Sequence, residues 1–272
     1  MIVIVLALLC AVLFTAAACY SESERSEQHS GQRAIPVLTY HSIMSREFYY
    51  PINVPNPWII LDEVFYEQMR YLYENGFTPI TAAQFVDYMF YDGDLPDNPV
   101  IITFDDGYID NYHFAAPILR EFGFTAMLFL ITGALSESTP PMVAYPTFFM
   151  STAEIEAITD VFEIGSHTHA MHRAVDGVPP LVFESVENIK ADLRAGFDSS
   201  FLTFTTGFAY PHGRHSHNAI EALQAEGVRF AFATHSGYVH RGEDPFRLPR
   251  FSVFSSTTMD DFSLIVRGYW QD

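Results

Sequence analysis

Apolar runs of strand length alternate with amphipathic stretches of helix length along most of the chain. IPVLTYH (35–41) is a short apolar run ending on Tyr40 and His41. Over 62–75, Val64, Phe65, Met69, Leu72 and Tyr73 recur at helical spacing, and Asn75-Gly76 supplies a stop. TAAQFVDYMFY (81–91) predicts a second helix with Thr81 as its N-cap. PVIITFDDG (99–107) is apolar without alternation, as a strand covered on both faces requires. Further strands are expected over 124–131, 161–167, 201–210 and 228–234, with helices near 110–121, 151–159, 183–197 and 216–226. No internal linker or repeat interrupts this order. It predicts a mainly parallel sheet with crossover helices, as a closed barrel or a doubly wound sheet. The polar residues decide between the two. Tyr40-His41, Asp105-Asp106, His167 and Tyr210 each follow directly on an apolar strand run, and a β/α barrel opens all such strand ends on one face. The expected fold is therefore α/β, a single distorted (β/α) barrel over 34–272.

The first eighteen residues stand apart. MIVIVLALLCAVLFTAAA carries no charged side chain, and its closing alanines read as a secretory cleavage site. Cys19 follows directly, as in a permissive bacterial lipobox with Ala16 where leucine is usual, so lipidation at Cys19 is expected. Residues 20–33 are polar and turn-rich and read as a flexible tether. The expected location is the cell envelope, as an anchored lipoprotein, or else the periplasm or exterior.

Composition narrows the function classes. The 272 residues hold 33 Asp plus Glu against 14 Lys plus Arg, a formal charge of −19. That excess argues against nucleic acid, whose phosphates need clustered cations, and against charge-driven binding to anionic lipid. Membrane contact is then expected only through the lipid anchor, and no protein partner is inferred. Two cysteines, one inside the segment to be cleaved, exclude a disulfide scaffold and a thiolate zinc module.

Six of the eleven histidines fall between 167 and 217, and three of them, His167, His169 and His172, lie within six residues. Such a cluster beyond an apolar strand points to a metal site. Imidazole and carboxylate donors without thiolate suit zinc first, with cobalt, nickel or iron as alternatives. The neighbouring carboxylates Asp105 and Asp106 repel unless a cation lies by them, which fits one as ligand and the other as base. A helix cap after Gly107 would need only one of them. Strand geometry alone points His167 and His169 the same way, which makes that pair an alternative ligand set.

TFDDG (103–107), HTHAMH (167–172) and FAYPHG (208–213), in this order, resemble the first three motifs of the polysaccharide deacetylase family. The likeness is strongest over about 97–255, and VLTYHSI (37–43) extends it. The five-residue step from His167 to His172 resembles the branch acting on exported poly-N-acetylglucosamine. The resemblance implies a metal-dependent hydrolase that removes N-acetyl groups from an acetylated amino-sugar polymer. It makes Asp105 the general base and Asp106, His167 and His172 the metal ligands. His41, Tyr108, His169, Tyr210, Pro211, His212 and Gly213 would contact substrate, with backbone N–H groups near His212 holding the oxyanion. Family members usually carry Tyr at the His212 position.

Two parts of the pattern are absent. Ala209 stands where many relatives have an arginine that orients the base, so Arg250 in DPFRLPRF (244–251) is predicted to pair with Asp105. No histidine follows Arg250, so the leaving amine must take its proton from His41, His212, His235 or His240, or from Asp105 returning it. The competing readings are a glycan-binding lipoprotein without catalysis, an O-acetyl esterase, and an amidohydrolase-type barrel using His167 and His169.

Overall fold

A computed structural model describes residues 34–49, 56–141 and 148–270. The apolar segment 1–18, Cys19 and the tether 20–33 lie outside the described residues. The strands are β1 (Val37–Tyr40), β2 (Ser42–Met44), β3 (Ile59–Leu61), β4 (Thr78–Pro79), β5 (Pro99–Asp106), β6 (Ala126–Leu130), β7 (Phe162–Ser166), β8 (Gly207–Ala209), β9 (Phe230–Phe232) and β10 (Phe251–Ser252). The main sheet runs β10-β1-β5-β6-β7-β8-β9, with β4 paired to the start of β5, while β2 and β3 form a separate pair. Each of these pairings is parallel.

The ring is closed by an irregular stretch. Leu248 bridges Phe232 of β9 in parallel, and three residues later Phe251 pairs with Leu38 of β1. The segment 245–252 thus touches both the last and the first strand, and this makes the fold a distorted (β/α) barrel.

β5 shows how the barrel separates its contents. Ile101 joins the inner cluster with Met127, Phe129, Phe230 and Phe232, while Ile102 and Phe104 join the outer cluster with Leu72, Leu119 and Leu128. Phe85, from the helix Ala82–Phe90, meets the rings of Phe230 and Phe232 and seals the N-terminal end of the barrel. Thr81 caps that helix in a reciprocal box with Gln84. Thr103 and Asp105 continue the Ile101 face by the two-residue period, so the inner wall turns polar towards the strand ends.

The helices Asp62–Glu74, Val186–Phe197 and His217–Ala225 lie where the pattern put them, the last two capped by Ser185 and Ser216. Two expectations are corrected. The strand expected over 201–210 is only Gly207–Ala209, because Thr203 and Phe204 instead bond Ile164 and the Phe204 ring turns onto Phe129. A Cβ at Gly207 would lie 2.3 Å from the Phe230 ring, so only glycine lets that ring in. The helix expected near 110–121 opens with a π turn over Asn111–Ala115 before the α-helix Ala116–Phe122. The β2–β3 pair and β10 are too short to carry a periodic signal, whereas the helix Met259–Val266 went unpredicted although Phe262, Ile265 and Val266 stand at helical spacing behind the Thr258 cap. No helix among the described residues is long and apolar enough to cross a membrane.

Candidate active site

The C-terminal ends of β1, β5, β7 and the loop after β8 surround a cavity of about 550 Å³. His41, Tyr108, Asp105, Asp106, His167, His172 and His212 line it, together with Trp58 and Phe149. β5 ends on Asp106 with φ +75°, and Gly107 follows at φ +90°. A Cβ on Gly107 would strike the Leu130 side chain at 2.3 Å, so glycine is required by both conformation and space.

Asp106, His167 and His172 each offer a ligand atom, all within 4.8 Å of one another. The Nε2 atoms of His167 and His172 lie 3.7 and 3.2 Å from Asp106 Oδ1, which is buried and has no hydrogen-bond partner. His167 Nδ1 donates to the Ala209 carbonyl at 2.7 Å, so its Nε2 carries a lone pair. Burial keeps that ring neutral, pulling its pKa down to about 4 against the pull of Asp105. A lone pair therefore faces a carboxylate oxygen. Two acceptors hold that arrangement when a cation lies between them, so the donor set fits a divalent metal. Burial alone would raise the pKa of Asp106, but the His172 imidazole beside it holds it well below the carboxylate range.

His169 does not join this group. β7 ends at Ser166, and Thr168 takes φ +75°, a conformation costly for a β-branched residue. The strand alternation that would align His167 with His169 is broken there. His169 Nδ1 pairs with Thr132 Oγ1 at 3.1 Å, and the residue is not part of the cavity wall. The backbone N–H groups of His169 and Ala170 both donate to the Asp192 carboxylate, at 2.8 and 2.7 Å. Asp192 thereby pins the loop that delivers His172. It escaped the sequence reading, although a signal existed: Ile189, Asp192, Leu193 and Gly196 form the buried stripe of one helix, and an aspartate is out of place there.

Arg250 is fully buried and meets Asp105 through two parallel hydrogen bonds, Nη1 to Oδ1 at 2.8 Å and Nη2 to Oδ2 at 2.7 Å. Its Nε donates to the Ala233 carbonyl at 2.9 Å, and Nη1 also reaches Thr103 Oγ1 at 3.2 Å. Burial pushes the Asp105 pKa upward, yet the Arg250 charge and its hydrogen bonds outweigh it and keep the carboxyl ionised below its usual range. The stretch that closes the barrel between Leu248 and Phe251 is what carries Arg250 inward.

Of the FAYPHG segment, only His212 reaches the cavity wall. Tyr210 is buried, with its hydroxyl donating to the Phe246 carbonyl and its ring stacked on His215. Pro211 is buried beside it, and the Gly213 N–H is taken by the Tyr210 carbonyl, so Gly213 offers no oxyanion donor. His212 adopts φ +56° and donates Nε2–H to the His172 carbonyl at 3.0 Å. Tyr108 stacks on Phe149 at the rim. Of the four histidines considered as proton donors, His41 and His212 line the cavity and His235 and His240 do not.

A further buried carboxyl lies below the cavity. Asp110 accepts from Ser42 Oγ, while its Oδ1 has no partner. Burial pushes its pKa up to about 7, Asp106 adding to the rise and the Ser42, Ile43 and Asn111 hydrogen bonds opposing it. The folded value exceeds the unfolded one, so folding binds this proton more tightly. The resulting stability is complete below about pH 4 and is lost as pH climbs through about 7. Asp110→Asn is expected to remove that loss, on the order of 4 kcal/mol between about pH 4 and pH 8. Urea unfolding across this range tests it; equal slopes in variant and parent would refute it.

Residues 92–231 match the polysaccharide deacetylase family. The polysaccharide deacetylase-type protein YxkH of Bacillus subtilis is 28% identical over 219 residues, covering 80% of this chain and 71% of its own length. The poly-beta-1,6-N-acetyl-D-glucosamine N-deacetylase of Staphylococcus epidermidis is 22% identical over 249 residues, covering 85% and 82%. The solved structure of IcaB from Ammonifex degensii has the same fold, with a TM-score of 0.72 and 22% identity over 86% of this chain and 96% of that one. Since the family match takes in 140 of 272 residues and contains both aspartates and both cavity histidines of the loop after β7, the chain belongs to the polysaccharide deacetylase family.

Proposed function

We propose that this chain removes N-acetyl groups from an exported poly-N-acetylglucosamine-type polymer. Its ligands are Asp106, His167 and His172, and its general base is Asp105. The observation that carries this reading is the neutral His167 Nε2 aimed at the unpartnered Asp106 Oδ1 beside an aspartate locked by Arg250. Zinc suits the donor set best, and a divalent ion there would polarise the acetyl carbonyl and lower a water pKa from about 16 toward about 7.

The chain's own residues supply the rest. Asp105 takes the proton of the attacking water while Arg250 keeps the carboxylate ionised and aimed. Water oxygen joins the carbonyl carbon, the carbon–nitrogen bond breaks, and acetate leaves the sugar amine. His41 is the proton donor to that amine. It lines the cavity against Trp58, whereas His212 is committed to the His172 carbonyl. Burial lowers the His41 pKa, the fields of Asp105 and Asp106 oppose that, and the proton is passed on from Asp105 once the water has attacked. Tyr108, Phe149 and Trp58 form an apolar rim suited to a sugar face. The apolar start followed by Ala-Ala-Ala-Cys supports export and a lipid anchor at Cys19, with 20–33 as spacer.

Acetate release from an N-acetylglucosamine oligomer is expected to stop in chelator and return with zinc. His172→Ala should weaken metal binding at least about tenfold, while His169→Ala should retain it. Release that persists without metal would refute the mechanism, and oligomer binding without release would favour the non-catalytic glycan binder.

A further inference from the structure

A second cavity of about 440 Å³ shares Thr234 with the candidate catalytic one. It is built by Thr234 and Ser236, by β10 and by the chain that follows it. Phe254 and Trp270 supply rings, Ser236, Ser252 and Ser256 supply hydroxyls, and Asp261 supplies a carboxylate. An aromatic wall joins the two spaces: His41 lies 4.3 Å from Trp58, and Trp58 lies 4.8 Å from Phe254, centroid to centroid. Rings beside hydroxyls match the two-sided chemistry of a sugar, whose C–H face is apolar and whose edge is polar.

Charge then selects which sugar. Among the described residues of this lining Asp261 is the only ionisable one, with no Lys, Arg or His beside it. An anionic ligand is disfavoured, and a cationic one is attracted. The carboxylate is also held in place, because its Oδ2 accepts from the Thr258 N–H at 3.1 Å and the Thr258 hydroxyl at 2.7 Å. A fixed charge loses less entropy on pairing than a mobile one. We infer that this second cavity is a subsite for an already de-N-acetylated amino sugar of the same polymer strand, its ammonium paired with Asp261 and its ring laid against Trp270 and Phe254. The inference rests on the function proposed above and extends it. A strand already deacetylated at one position binds better for attack at another, so acetyl groups are removed in blocks.

The test measures acetate release from a fully acetylated N-acetylglucosamine pentamer, from the same pentamer with one free amine, and from a small aryl acetate that reaches only the catalytic cavity. The parent is expected to favour the pentamer with a free amine by about tenfold in kcat/KM. Asp261→Asn, which keeps an acceptor for the helix cap, should erase that preference. Trp270→Ala should lower kcat/KM on both pentamers, relative to the aryl acetate, by about tenfold. The subsite is overturned if the parent shows no preference, if Asp261→Asn retains it, or if Trp270→Ala changes all three substrates in proportion. If the parent releases acetate from none of them, the proposed function fails and binding decides the subsite alone. A glucosamine pentamer should then bind Asp261→Asn about tenfold more weakly than the parent, and an equal Kd overturns it.

Discussion

Asp105→Asn is expected to cut the rate of acetate release by about 10²–10⁴-fold while leaving metal affinity within a few fold of the parent. Asparagine has the same shape but cannot accept a proton from water at neutral pH. Asp105 is outside the group of atoms that converge on one metal position, so removing its charge spares the ligands. Its two oxygens each meet one Arg250 nitrogen, and a carboxylate oxygen has a second lone pair free for the cavity. The variant separates base from ligand: single-turnover acetate release reads the first, and metal titration reads the second. A parallel collapse of both would show that Asp105 is a ligand instead.

Arg250→Met is expected to cost about 3–5 kcal/mol of stability near neutral pH, because it leaves the Asp105 carboxylate buried and unpaired. The sign of its pH dependence follows from the pair. Asp105 is held below the ordinary carboxylate pKa, so its contribution is present above about pH 4 and fades as acid protonates it. In Arg250→Met the opposing effect of burial is left alone, the Asp105 pKa rises, and the neutral acid forms at a higher pH. The stability gap between variant and parent should therefore narrow on acidification, and the acid limb of the activity profile should move to higher pH. Arg250→Lys should recover only part of either effect, since one ammonium cannot reproduce two parallel hydrogen bonds plus the bond to the Ala233 carbonyl. Chemical unfolding at two pH values and a kcat/KM profile check both effects; a constant gap would sink the argument.

The period of the chain was enough to determine a parallel α/β sheet, because continuous apolar runs such as that over 99–104 suit strands covered on both faces, and the polar strand ends then selected the barrel. The polar residues at the ends of those runs located the cavity for the same reason: parallel strands with crossover helices deliver every strand end to one rim. His167, Asp105 and Asp106 were legible on that basis. What lay beyond the strands was decided by tertiary contacts. Thr168 is forced to positive φ by a loop held by Asp192 and by the backbone of Thr132 and Gly133, and this turns His169 away while bringing in His172. Tyr210 ends an apolar run yet is turned into the core by its bond to Phe246, and Gly213 spends its N–H on Tyr210. Arg250 stands 145 residues from its partner; the pair was expected because the third motif lacks its arginine, not because any local period specifies it, and its two parallel hydrogen bonds are seen only in the fold. Its geometry is set by the closure of the ring, where 245–252 pairs with the last and the first strands at once. Period is a property of neighbouring residues and survives in the sequence; closure depends on where distant segments meet, and only the folded barrel determines that.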